Sequence, residues 1–126
     1  MSETTVYIND NRELSESVLM MVDELKSIYE GHLSSVILYG SYARGEQTEE
    51  SDLDIALILS PGTDRKMYDS MIDCVSKREL EYGKTLSVID IDAQKYEEWK
   101  SVLPFYMNIE NEGIVLWRKQ NQVNTN

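Results

Sequence analysis

The sequence predicts a small α/β (α+β) domain of alternating strands and amphipathic helices. Three observations lead there. Four apolar runs have strand length: Val36–Tyr39, Asp52–Leu59, Leu86–Ile91 and Ile114–Trp117. The segments before and between them repeat their apolar residues at three- and four-residue steps, the period of a helix with one buried face. A length of 126 residues with 41% hydrophobic content suits one core, so residues 1–126 read as a single domain, with its packed part at about 12–118.

Leu14, Val18, Met21, Val22, Leu25, Ile28 and Tyr29 mark the first helix, with Asn9, Asp10 or Asn11 available as its cap and Gly31 as its stop. His32, the one histidine, falls in the link to the first strand and has no second histidine to share a metal or catalytic site. Val36–Tyr39 is stopped by Gly40, as a strand buried on both faces is when it runs into a tight turn. After the second strand, Ser60–Thr63 is a turn cluster and Thr63 a cap for a helix over 64–82, with Met67, Met71, Cys74, Val75 and Tyr82 as its buried stripe and Gly83 as its end. Leu86–Ile91 is the third strand. A short helix over 93–102 follows, and Pro104 opens another that Glu112–Gly113 closes, since proline is tolerated in a first helical turn. Ile114–Trp117 is an edge strand, and residues 119–126 form a polar tail expected to be disordered.

Composition excludes several function classes. No apolar run approaches the roughly 20 residues that span a bilayer, and residues 1–11 lack the basic and hydrophobic regions of an export signal. A cytoplasmic location is therefore expected. The lone cysteine, Cys74, cannot form an internal disulfide and reads as a small buried hydrophobe. With 12 basic against 23 acidic residues, net charge −11, the chain lacks the clustered Lys and Arg that nonspecific nucleic-acid binding needs; a basic protein partner fits better.

The chemistry concentrates in residues 36–59. Gly40 lacks a Cβ and so permits positive φ or close approach of a ligand, and Ser41 adds a hydroxyl. Tyr42–Arg44 can form a helical turn before Gly45, with its first amides turned toward an anion. Along the next strand side chains alternate faces, so Asp52 and Asp54 project to one side and Leu53, Ile55, Leu57 and Leu59 to the other. Two neighbouring carboxylates on an apolar strand repel unless a proton or cation separates them. Mg²⁺ answers that need: it takes one or two carboxylates and fills its octahedron with phosphate oxygens and water.

Gly40-Ser41, ten intervening residues, then Asp52-Leu-Asp54, with Ala43-Arg44-Gly45 and Ser51 between, resembles the signature of the DNA polymerase β nucleotidyltransferase superfamily. The short chain is similar to its minimal nucleotidyltransferases (MNT), often paired as antitoxins with HEPN-domain proteins. The resemblance spans about Leu14 to Trp117. It implies a small mixed sheet backed by helices, Mg²⁺ held by Asp52 and Asp54, and a nucleoside triphosphate such as ATP bound by Gly40, Ser41, Arg44 and Ser51. It also implies a third carboxylate on the third strand, where the spacing places Ser87, a poor metal ligand and no general base at neutral pH. Asp90 is offset from Ser87 by an odd number of residues and so faces the opposite way; it serves only if its face is the one that meets Asp52 and Asp54. Asp92 reads as the cap of the next helix.

Two classes of function follow from the resemblance. In one, the protein is an enzyme that moves a nucleoside monophosphate from ATP to a hydroxyl of a protein partner; in the other, an antitoxin that keeps the fold and works by covering its HEPN partner. The intact Gly-Ser and Asp-x-Asp favour chemistry, and Ser87 favours binding. Trp99, Phe105 and Tyr106 could stack on a base or close a lid over the core.

Overall fold

In the computed structural model, Ile8 and residues 11–120 are described. Helix α1 (Arg12–Tyr29) starts where the Asn11 side chain accepts the Leu14 N–H at 3.0 Å; Asn9 and Asp10 lie outside the described residues. Of its predicted stripe, Leu14, Val18, Met21, Val22, Leu25 and Tyr29 are buried, while Ile28 is half-buried against them. The stop comes one residue early. Glu30 takes the left-handed conformation (φ 52°, ψ 46°) and its N–H closes the last turn on the Lys26 carbonyl, with Gly31 following at φ 95°.

Strand β1 (Leu33–Tyr39) begins three residues before the predicted run. Ser34 and Ser35 hide that start in the sequence, but Leu33 pairs with Leu59 and Ser35 with Ile58 across a bulge, so neighbours decide it. After the single turn α2 (Ser41–Arg44) and a polar connector comes β2 (Leu53–Leu59), with Asp52 just outside it. Helix α3 (Arg65–Tyr82) is capped by Asp64, which accepts the Met67 N–H at 2.9 Å, and not by Thr63; an aspartate directly before the first helical residue does the same work. Strand β3 (Leu86–Asp92) is followed by α4 (Ala93–Trp99), shorter than the predicted 93–102, then by α5 (Pro104–Glu112) and β4 (Ile114–Arg118). Among the described residues, no helix is long and apolar enough to cross a membrane. Lys119, assigned to the tail by its sequence, is still tied down: its N–H donates to Ser34 O and its Nζ to Gly31 O. The rest of that tail lies outside the described residues from 121 onward.

The strands form one mixed sheet in the order β3-β2-β1-β4, with β2 and β3 parallel and the other pairs antiparallel. Alternation gives the sheet two different faces. Leu53, Ile55, Leu57 and Leu59 of β2 join Val36 and Leu38 of β1 in a core under α1 and α3. Ile37, Ala56, Ile58 and Ile91 face the other way and pack against Tyr96 of α4 and Ile109 of α5. Cys74 is buried in the first core; burial first, then its hydrogen bond to Glu24, pushes its thiol up to about 12, which keeps it protonated and unreactive at neutral pH.

Candidate active site

At the end of β1 the chain turns through Gly40 at φ 79°, ψ −156°, a combination open essentially to glycine alone. A methyl group placed there would collide with Asp54 Oδ2 and lie 3.1 Å from its Cγ. Turn and carboxylate are therefore in direct contact, and the missing side chain is what lets them meet. The Gly40 carbonyl accepts the Ala43 and Arg44 amides, starting α2. The Ser41 and Tyr42 amides belong to the first turn, where no intrahelical partner exists.

Asp54 is paired across the ladder with Tyr39 and points to the α4/α5 face, the side of Ala56 and Ile58. Burial raises its carboxyl above the usual carboxylate range; the charge of Asp52 raises it further, and Arg44 pulls it partly back. Asp52, exposed just ahead of the strand, thus acts on Asp54 as the sequence predicted. Burial likewise raises the Tyr39 hydroxyl, and the negative charge of Asp54 adds to it.

The parallel register between β2 and β3 sets the remaining candidates. Asp54 lies opposite Ser87, and Leu57 opposite Asp90. Paired residues of a parallel ladder share a face, so Ser87 stands beside Asp54 while Asp90 falls on the α1/α3 side, exposed on the edge strand and away from the acidic pair. Asp92 caps α4 by accepting the Lys95 N–H at 3.0 Å. Among the described residues, no group of three His, Cys, Asp or Glu could hold a metal ion.

The family model for nucleotidyltransferase domains matches residues 20–116. The chain belongs to this family. A Methanocaldococcus jannaschii protein named as a candidate protein adenylyltransferase is 34% identical over 110 residues, covering 87% of this chain and all of that one. Among solved structures, a toxin–antitoxin complex with AMP-PNP superposes with a TM-score of 0.55 at 20% identity, covering 81% of this chain and 74% of that one. A candidate nucleotidyltransferase from Sulfolobus solfataricus gives 0.53 at 20% identity, covering 82% and 79%. At that identity the two structures show a shared fold.

Within this nucleotidyltransferase the residues present fit a divalent cation. Asp54 lies against a turn with spare amides, Asp52 precedes it by two residues and adds its charge, and Asp54 carries an electrostatic strain that a cation would relieve. Arg44 and Ser51 are otherwise engaged. The Arg44 guanidinium bonds Glu46 at 3.0 Å and lies 3.6 Å from Glu112. Ser51 Oγ accepts the Thr48 N–H at 2.9 Å and its own N–H donates to Thr48 O, closing a turn in the connector.

Beside Gly40 a cavity of about 210 Å³ is lined by Tyr39, Arg44, Phe105, Asn108 and Glu112. Sequence reasoning assigned none of Tyr39, Asn108 and Glu112 to the site. A signal existed: Phe105, Asn108 and Glu112 are spaced by three and then four residues, one stripe of α5. Nothing in the sequence said that this stripe faces Gly40.

Proposed function

We propose that this nucleotidyltransferase moves AMP from ATP onto a hydroxyl of a protein partner, a HEPN-domain toxin, for which it serves as antitoxin. The observation that carries the reading is the contact between Gly40 and Asp54, which sets one carboxylate, with Asp52 just ahead of it in the chain, against a glycine turn whose first amides have no partner in α2. In the reaction the acceptor oxygen attacks the α-phosphorus, the bond from that phosphorus to the bridging oxygen breaks, pyrophosphate leaves, and the hydroxyl proton passes to solvent or to a group on the partner. Gly40 and Ser41 hold the β- and γ-phosphates through the first amides of α2 and the serine hydroxyl. Asp52 and Asp54 would hold Mg²⁺, which would supply neutralisation of charge on the phosphates and on the leaving group. Arg44 reaches a phosphate only by leaving Glu46 and Glu112, and Ser51 contributes by shaping the connector. The reaction draws on ATP and belongs to the cytoplasm.

The relative named as a candidate protein adenylyltransferase supports the choice of adenylate and of a protein acceptor. The toxin–antitoxin neighbour supports the pairing. A second reading, an antitoxin that acts by covering its partner, is favoured by one feature: Ser87 stands where a third carboxylate would complete the site. Incubating the chain with a HEPN protein and ATP labelled at the α-phosphate separates the two. Transfer of label to the partner, lost in Asp52→Asn/Asp54→Asn, supports the enzyme; inhibition of the toxin without label in either supports covering.

A further inference from the structure

We propose that the cavity beside Gly40 is the subsite for the nucleobase, with Phe105 as the stacking platform, Tyr39 as its wall and Asn108 reading the base edge; the proposal rests on the nucleotide reading of the site. Phe105 is 47% exposed, while its neighbour Tyr106 turns inward against Tyr96 at a ring separation of 5.9 Å. Phe105 is held in place by an edge contact with Tyr39, with ring centroids 5.7 Å apart and planes at 89°, and by a tilted contact with Tyr106 at 6.0 Å, and about half of its surface stays exposed.

Position argues for the base over other occupants. Gly40 lines both the phosphate turn and this cavity. A nucleotide anchored there by its phosphates cannot send its base into the packed α1/α3 core, whereas the cavity opens directly beside the turn. At about 210 Å³ the cavity is smaller than the roughly 300–1,000 Å³ of sites that enclose a whole drug-sized ligand, so it suits one part of the nucleotide. Its chemistry agrees. Two aromatic rings flank it, Glu112 faces Arg44 at 3.6 Å so that the charges offset, and Asn108 presents an amide that both donates and accepts. That pairing of donor and acceptor complements the N6 and N7 edge of adenine and not the two acceptors of guanine.

The test is calorimetry in Mg²⁺ with ATP, GTP and inorganic tripolyphosphate on wild type, Phe105→Ala, Phe105→Trp and Asn108→Leu. Phe105→Ala should weaken ATP roughly five- to hundredfold, the range that base–aromatic stacking supplies, and change tripolyphosphate binding less than twofold. Phe105→Trp should retain ATP, and Asn108→Leu should narrow the preference for ATP over GTP. Thermal melts confirm that each variant is folded. Unchanged ATP binding in Phe105→Ala overturns the proposal, as does equal weakening of ATP and tripolyphosphate. Normal ATP binding with transfer to the partner lost would assign the cavity to the acceptor instead. If wild type binds neither ATP nor tripolyphosphate, the nucleotide reading itself falls, and the base subsite with it.

Discussion

On the α1/α3 face, β2 sets Leu53, Ile55, Leu57 and Leu59 into a core of nineteen buried residues; on the α4/α5 face the same strand offers Asp54, Ala56 and Ile58 to a core of six, both counted among the described residues. The strand is one, the faces are not. At a central position such as Leu57, an ionised carboxylate under α1 and α3 would meet apolar groups, at a cost that only pairing could offset, whereas Asp90 shares that face from the exposed edge strand β3. On the thinner face Asp54 stays half-buried, raised in pKa yet able to reach a ligand. The difference teaches that the larger core carries stability and leaves the smaller face free to keep unfavourable charges together.

Substitutions can break that division of labour. The largest expected effect is on the first face. Leu57, fully buried, should cost about 2–5 kcal/mol of unfolding free energy as Leu57→Ala, read by urea denaturation, while the folded fraction binds Mg²⁺-ATP as wild type does. Lost affinity in that fraction would show that the faces are coupled.

Gly40→Ala tests the point where turn and carboxylate touch. The backbone conformation at Gly40 should cost a side chain about 1–3 kcal/mol, and the new methyl must displace Asp54. Stability and ATP affinity should fall together, measured by melts and calorimetry; a fall in stability alone would sever the Gly40 turn from nucleotide binding.

Asp52→Asn/Asp54→Asn should do the opposite of Leu57→Ala: lower Mg²⁺-ATP affinity at least tenfold, about 1.4 kcal/mol, and raise the melting temperature without Mg²⁺ because the repulsion is gone. The sign of the pH dependence follows from Asp54. A raised carboxyl pKa means the folded state binds the proton more tightly than the unfolded one, so its contribution stabilises at acid pH. It is lost as pH rises from the usual carboxylate range through the raised value. The melting advantage of the Asn variant should therefore be smallest at the acid end and widen toward neutrality. A variant that melts lower than wild type at neutral pH would make the aspartates structural.

The smallest expected change concerns two positions on β3. Asp90→Asn, exposed and on the far face from Asp54, should leave nucleotidyl transfer within about twofold. Ser87→Asp adds a carboxylate beside Asp54 and should raise transfer onto the partner. A dead Asp90→Asn with no gain in Ser87→Asp would mean that the two faces exchange roles at this strand.

Much of this architecture is written locally. The alternation of β2, the helical stripe of α1 and the placement of Gly40-Ser41 ahead of Asp52-Leu-Asp54 depend on fixed periods of two and 3.6 and on the unique freedom of glycine. Helix ends were less legible. Thr63 and Asp64 are both good caps, and which residue caps depends on where the chain enters the helix. Glu30 takes a conformation usually left to glycine, which no local preference favours.

From residues alone came the class of fold, the Asp52/Asp54 pair, the Gly40-Ser41 turn and the point that Asp90 and Ser87 cannot serve the same site, because all four rest on neighbours along the chain. Which of those two stands beside Asp54 was a matter for the tertiary structure, since it depends on the register between strands separated by the whole of α3. So too was the arrival of Phe105, Asn108 and Glu112 beside Gly40. That encounter arises from the packing of α5 over the smaller core, and a stripe along a helix says which residues move together without saying what they will face.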